Sequence, residues 1–215
     1  MTTTHGPRAL AALATTAVLA LSACGGGSGS SSAASETSST SSTEKATTEG
    51  AKATSAESGV SFTVPKGWKV IKPSEIKAGS QVPAAVKEMA KAQGTTPEKL
   101  AEDIKGLDLL IIGETNGQFS DNVNVIAAPM MPTTAELKAE LDGIGAKVGD
   151  TEKVKTSLGS ALDTTYTLSA NGLDINGRMI AIPTDAGSAV ITVSTSDADE
   201  ADQVTQTILD TIDKA

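Results

Sequence analysis

Few side chains in this sequence are equipped for covalent or acid–base chemistry. There is one histidine, His5, one cysteine, Cys24, and two arginines, Arg8 and Arg178. His5 and Arg8 both precede Cys24, so a chain cut before that cysteine keeps no imidazole and one guanidinium. Without imidazole, Ser/His/Asp and Cys/His nucleophilic catalysis and a histidine general base are all excluded. Zinc sites of the Cys/His type are excluded with them. Carboxylates, lysines and hydroxyls remain, and no spacing among them sets two acids to converge as a hydrolase requires. A non-catalytic protein with no cofactor and no bound metal is the expectation. The run Asp197-Ala198-Asp199-Glu200-Ala201-Asp202 invites a calcium reading, but it lacks the turn glycine and distal glutamate of an EF-hand loop. Charge at the start of a helix accounts for it better.

Cys24 has a different logic. A lone cysteine makes no internal disulfide, and this one closes an apolar N-terminal stretch. Arg8 supplies a positive start, and Ala9 to Ala23 carries no charge over about 15 residues, fewer than the ~20 a membrane-spanning helix needs. Leu21-Ser22-Ala23-Cys24 resembles the lipobox of bacterial lipoproteins, which implies export, cleavage before Cys24 and diacylglyceryl modification of its thiol. Two or three acyl chains, at ~0.8 kcal/mol per buried CH₂, anchor a protein stably where one does not. The expected location is the outer face of a bacterial cell membrane, within the cell wall or a periplasm-like space. Loss of Arg8 takes the net charge from −9 to −10, so attachment rests on the acyl chains rather than on anionic headgroups. The same acidity, with few aromatics, argues against nucleic acid as a partner.

Residues 24–58 are almost wholly Gly, Ser, Ala, Thr, Glu and Lys, with no aromatic and no aliphatic side chain larger than alanine. Such a segment buries too little area to offset the entropy of ordering and reads as a tether. Its root-mean-square span is on the order of 30 Å, with a reach of about 120 Å if fully stretched. The organisation expected is thus a signal peptide over 1–23, a lipidated tether over 24–58 and one domain over 59–215.

Within the domain, Val60 to Val64 alternates as a strand, and Pro65-Lys66-Gly67-Trp68 turns into a second through Val70-Ile71. Val86, Met89 and Ala90 share a helical face that Gly94 ends. Thr96-Pro97 opens another helix, with Leu100 and Ile104 on one side. Leu107–Ile112 and Asn122–Ala127 read as paired strands, their connection holding Asn116-Gly117 and being too long for a two-residue hairpin. Thr133 and Glu136 form a capping box for a helix reaching Gly143. Three strands follow, Ala161–Ala170, Leu173–Pro183 and Ala189–Thr195, joined by Asn171-Gly172 and by a turn at Asp185-Ala186-Gly187. A two-residue Asn-Gly turn sets Ala170 against Leu173, Leu168 against Ile175 and Tyr166 against Gly177. A last helix from about Ser196 carries Val204, Ile208 and Ile212 at spacings of four. The order β-β-α-α-β-β-α-β-β-β-α gives an α+β fold, an antiparallel sheet flanked by helices.

The segment Phe62-Thr63-Val64-Pro65-Lys66-Gly67-Trp68, the three final strands and the closing helix resemble the PsbP-like α/β/α sandwich. With its lipobox and Ser/Thr-rich tether, the chain is similar to actinobacterial lipoproteins of the LpqN and LpqT type. That resemblance implies no shared catalytic residues. It implies an assembly or accessory role in which the domain binds other proteins of the envelope, with a link to envelope lipid handling.

Five residues stand out as candidate ligand or partner contacts. Trp68, the single tryptophan, either lines a groove or closes the sheet edge. Phe119 is an aromatic in a polar loop. Met130 and Met131, between Pro129 and Pro132, form an apolar loop tip suited to a partner or to packing. Arg178 either pairs with Asp174 on its own strand face or holds an anionic ligand. A protein partner is the leading expectation. A lipid or glycolipid carrier is the alternative, and it requires a continuous pocket lined by residues such as Trp68, Met130 and Met179.

Overall fold

The computed structural model describes residues 50–76, 82–170 and 172–215. The expected signal peptide, Cys24, most of the expected tether and Asn171 lie outside the described residues. The elements, in chain order, are β1 (Lys52–Ser55), β2 (Val60–Thr63), β3 (Lys69–Ile71), a 3-10 turn (Pro73–Glu75), α1 (Ala84–Ala92), α2 (Pro97–Asp103), β4 (Leu109–Asn116) and β5 (Phe119–Ala128). They continue with α3 (Thr134–Gly143), β6 (Lys147–Thr156), β7 (Gly159–Ala170), β8 (Leu173–Thr184), β9 (Gly187–Thr195), α4 (Ala198–Thr211) and β10 (Asp213–Lys214).

Seven strands form one antiparallel sheet in the order β3-β4-β5-β9-β8-β7-β6, and β1-β2-β10 form a small second sheet. Strand alternation sends apolar side chains to both faces of the large sheet. On one face Leu110, Ile112, Ile126, Ile175 and Met179 meet α1, α2 and α3 through Val86, Met89, Leu100, Leu137 and Leu141. On the other, Leu109, Ile111, Val125, Ile180 and Ile191 meet α4 and the small sheet through Val204, Ile208, Val60 and Phe62. The expected architecture is therefore present: an antiparallel sheet with helices on both sides. Each fully buried Leu or Ile contributes roughly 1.5–3 kcal/mol, so two dry faces supply the bulk of the stability.

The local signals act as their chemistry dictates. The Thr133 hydroxyl accepts from the Glu136 amide while the Glu136 carboxylate accepts from the Thr133 amide at 2.8 Å, completing the capping box. Thr96 caps α2 by accepting from the Lys99 amide. Residues Ala170, Leu168 and Tyr166 face Leu173, Ile175 and Gly177 in the register the turn predicts. Gly177 is required there, because a Cβ would collide with the Tyr166 ring.

Four expectations need correction. The domain begins near residue 50, not 59. Lys52–Ser55 pairs antiparallel with β2, the Val64 amide donates to the Ala51 carbonyl at 2.9 Å, and Ala53 and Ser55 are buried. Small polar residues there are held by backbone pairing and by Asp108, which accepts from the hydroxyls of Ser55 and Ser58. The β4–β5 connection is a two-residue hairpin loop, Gly117-Gln118, with Asn116 facing Phe119, because β4 runs on past Ile112 through a bulge. A further strand, β6, forms over Lys147–Thr156, which reads as polar because it is the exposed edge. Its lysines and the register shift between Val148 and Thr151 blunt that edge against further pairing. The last is β10, two residues that pair with β2 beyond the final helix.

The first correction is testable by truncation. A chain starting at Gly50 is expected to melt with the full-length protein. One starting at Gly59 loses β1 and uncovers β2, and should melt about 6–12 °C lower for ~3 kcal/mol of lost pairing and burial. Equal melting temperatures by circular dichroism would put the boundary back at residue 59.

Candidate functional site

Three of the five singled-out residues turn out to hold the fold together. Trp68 is 9% exposed and joins the core on the α4 side, its indole lying over Gly113, where a Cβ would strike the ring. Phe119 opens β5 rather than sitting in a loop, and is 1% exposed in the core under α1–α3. Neither presents a free ring to a ligand.

Arg178 corrects a pairing. Its guanidinium does not bond Asp174, which instead accepts from the Ser169 hydroxyl. It reaches across the sheet to Asp163 with two parallel bonds, Nε to Oδ1 at 3.0 Å and Nη2 to Oδ2 at 2.5 Å, and Nη1 donates to Asp202 of α4 at 2.7 Å. Twist and diagonal register decide this: Thr165 faces Arg178, and Asp163 is two residues along the same face of β7. The Asp163 side chain is 1% exposed and its carboxylate is fully engaged, so the pair clips α4 onto the sheet. Its bonds to Asp163 raise the guanidinium pKa further above its ordinary value against the opposing effect of burial. A bidentate acid already occupies the arginine, leaving no room for an anionic ligand.

The acidic run is equally accounted for. Asp197 is the N-cap of α4, accepting from the Glu200 amide at 3.0 Å, and Asp202 belongs to the Arg178 clip. Asp121 lies nearby, buried, with Oδ1 accepting from the Ser196 amide at 2.7 Å. Burial raises the Asp121 pKa above its ordinary 3.8, its bonds to Ser196 pulling the other way. Glu200 is raised above 4.5 by burial first, then by the charges of Asp121, Glu114 and Asp197. Among the described residues no three His, Cys, Asp or Glu groups are placed to hold a metal ion.

The methionines divide. Met131 is half-buried against the α1–α3 core, whereas Met130 is 56% exposed, the only exposed large apolar side chain among the described residues. Its loop is pinned, since Ser188 Oγ donates to the Met130 carbonyl at 2.9 Å and Gly187 packs against Ala128 and Pro129. The pocket expected between Trp68, Met130 and Met179 does not form. Trp68 and Met179 lie in cores on opposite faces of the sheet, and Met130 is outside both.

A groove that the sequence did not point to lies at the other end of β5. It has a volume of about 630 Å³ between the C-terminal end of α1, with Glu88, Lys91 and Gln93, and the β4–β5 hairpin, with Thr115, Gly117 and Gln118. No nucleophile–base pair lines it. Its lining offers amide and hydroxyl groups and a single charge of each sign. Predicting it would have required knowing that the hairpin folds back beside Gly94.

No protein-family model matches this chain, and no curated protein matches it. The solution structure of cyanobacterial PsbP (CyanoP) from Synechocystis sp. PCC 6803 is similar to it with a TM-score of 0.49 and 13% sequence identity, over 82% of this chain and 98% of that one. Among the described residues no helix is long and apolar enough to cross a membrane.

Two predictions follow from the charges. Arg178→Ala leaves a buried carboxylate unpaired and should cost about 3–5 kcal/mol, while Asp202→Asn, at the exposed end of the clip, costs about 1 kcal/mol or less. Urea unfolding separates them; equal small losses would mean that the clip is not what holds Asp163. For Glu200 and Asp121 the folded pKa is raised, so both bind a proton more tightly folded than unfolded. Their contribution to stability is full below the ordinary carboxylate range and is lost as pH rises through the raised folded values. Glu200→Gln should therefore stabilise the protein at pH 7 and lose that advantage below about pH 4. Thermal melts across pH 3–8 show this as converging curves, and parallel curves would contradict it.

Proposed function

We propose that this chain is a lipid-anchored, extracytoplasmic accessory protein of the LpqN/LpqT type, which binds a protein partner in envelope assembly or transport and catalyses no reaction. The anchor rests on Leu21-Ser22-Ala23-Cys24 after an uncharged apolar run, followed by a Gly/Ser/Thr-rich leash. The partner contact rests on Met130. Every other large apolar side chain among the described residues is buried or partly buried, yet this one stands 56% exposed on a loop fixed by Ser188 and bracketed by two prolines. A pinned apolar knob loses little entropy on docking, and thioether flexibility lets it fill an imperfect pocket.

A photo-crosslinking residue placed at Met130, in the native host, tests this against the same probe at Lys155 on the β6 edge. A discrete envelope-protein adduct is expected at 130 and not at 155, and adducts of equal yield at both would overturn the contact. Met130→Ala should weaken the captured complex roughly 5–30-fold, from about 1–2 kcal/mol of lost contact. Cys24→Ser should move the protein from the membrane fraction to the soluble fraction. Retention in the membrane would remove the anchor from the reading.

A further inference from the structure

Burial decides which sulfur of this chain meets an oxidant dissolved in water. The sequence holds five methionines, of which Met1 precedes the described residues. Met89 and Met179 are sealed in the core under α1–α3, and Met131 packs half-buried against the same core. Met130 alone among the described methionines stands in solvent. Trp68 and Tyr166, the other readily oxidised side chains of that core and its counterpart, are buried as well.

Backbone anchoring keeps Met130 outside. Ser188 Oγ donates to its carbonyl at 2.9 Å, and Gly187 lies so close to Ala128 and Pro129 that a Cβ would collide with both. On the far side Pro132 is buried, and Met131 already takes the inward position. Two neighbouring thioethers with the same chemistry thus have different access to water.

Oxidation of a thioether needs no catalytic group on the protein. The sulfur lone pair attacks one oxygen of a peroxide, the O–O bond breaks, an S–O bond forms, and the second oxygen leaves as water. Sulfur loses two electrons and the peroxide gains them, so thioether and hydrogen peroxide give sulfoxide and water. The product carries a polar oxygen where an apolar side chain stood. Docked in an apolar pocket, that oxygen would be desolvated and unpaired. Methionine sulfoxide reductases remove it again, so the change can be reversed.

We propose that Met130 is a redox-sensitive modification site: hydrogen peroxide or another two-electron oxidant converts its thioether to the sulfoxide ahead of the other methionines, and this conversion releases the protein partner. The release rests on the partner contact proposed at Met130, whereas the selectivity rests on burial alone. Linkage makes the effect mutual: a partner that prefers the thioether also disfavours its oxidation while bound.

The test has two parts. Purified full-length protein is treated with hydrogen peroxide, quenched with catalase and digested for peptide mass spectrometry. Sulfoxide is expected at Met130 at least ~10-fold faster than at Met131, Met89 or Met179, with fragment ions separating the two adjacent residues. Equal rates at Met130 and Met131 would overturn the site. Release is read with Met130 in place, from a photo-crosslinking residue at Ala135, exposed in the first turn of α3. Oxidised or untreated protein is added to membranes of the native host lacking the chain. A discrete adduct is expected from untreated protein, falling after oxidation at least as far as with Met130→Ala and returning after treatment with both epimer-specific reductases. Met130→Leu keeps an apolar side chain without sulfur, so its adduct should form and ignore peroxide. An adduct unchanged by oxidation of Met130 overturns the release while leaving the contact standing, and peroxide sensitivity that persists in Met130→Leu overturns it too. Selective oxidation with no adduct from untreated protein removes the partner contact, and the release with it. Circular dichroism checks that oxidised protein and both variants keep the fold.

Discussion

The structure depends on a sheet whose central strands are apolar on both faces. Leu109-Leu110-Ile111-Ile112 of β4 has no polar side, and β9 is buried at every position but its first. Water must be excluded from both surfaces at once, so the chain has to supply two covers. Helices α1, α2 and α3 form one, and α4 with the β1-β2-β10 sheet forms the other. The second cover explains why a strand is recruited from residues that look like tether, and why the chain continues past α4 to pair with β2. The Arg178 clip serves the same end, fixing α4 over the sheet through a carboxylate that the helix itself helps to bury.

Complete coverage has a consequence for function. Where nearly all apolar surface is spent on the core, what stays exposed or unpaired gains meaning. Met130 is the exposed remainder on the outside. Within the fold, side-chain polar atoms of Gln93, Asn122, Asn124, Thr184, Thr192 and Thr205 bond no protein group, and a groove lies between the end of α1 and the β4–β5 hairpin. Among the ionisable groups that shift, Asp121, Glu200 and Arg178 are held by hydrogen bonds and burial around α4, and the Tyr166 phenol is pushed up to about 12 by burial over Gly177. The Tyr166 hydroxyl is spent on the Val193 carbonyl and Ser194.

Much of the fold could be read along the chain because the signals are local. A capping box needs only Thr133 and Glu136, and the register of β7 on β8 needs only the length of a turn. The lipobox-like Leu21-Ser22-Ala23-Cys24 and the lack of histidine after it are likewise properties of order and composition. Edge strands were hidden for the opposite reason. Both β1 and β6 have half or more of their residues in contact with water, so their hydrophobic pattern is faint, and pairing with a neighbour holds them.

The sequence by itself determined most of the elements, an antiparallel sheet with helices packed on it and the poverty of catalytic groups, since each follows from periodicity, turn residues and residue counts; β1, β6 and β10 it left unmarked. Tertiary structure alone decided which candidates are free. It turned Phe119 and Trp68 inward, gave Arg178 to Asp163 rather than Asp174, and left Met130 outside. It also placed Gln93 and Thr115, 22 residues apart in the chain, on one groove. Burial and ion pairing across the sheet depend on which distant segments meet, and no spacing within a segment encodes that.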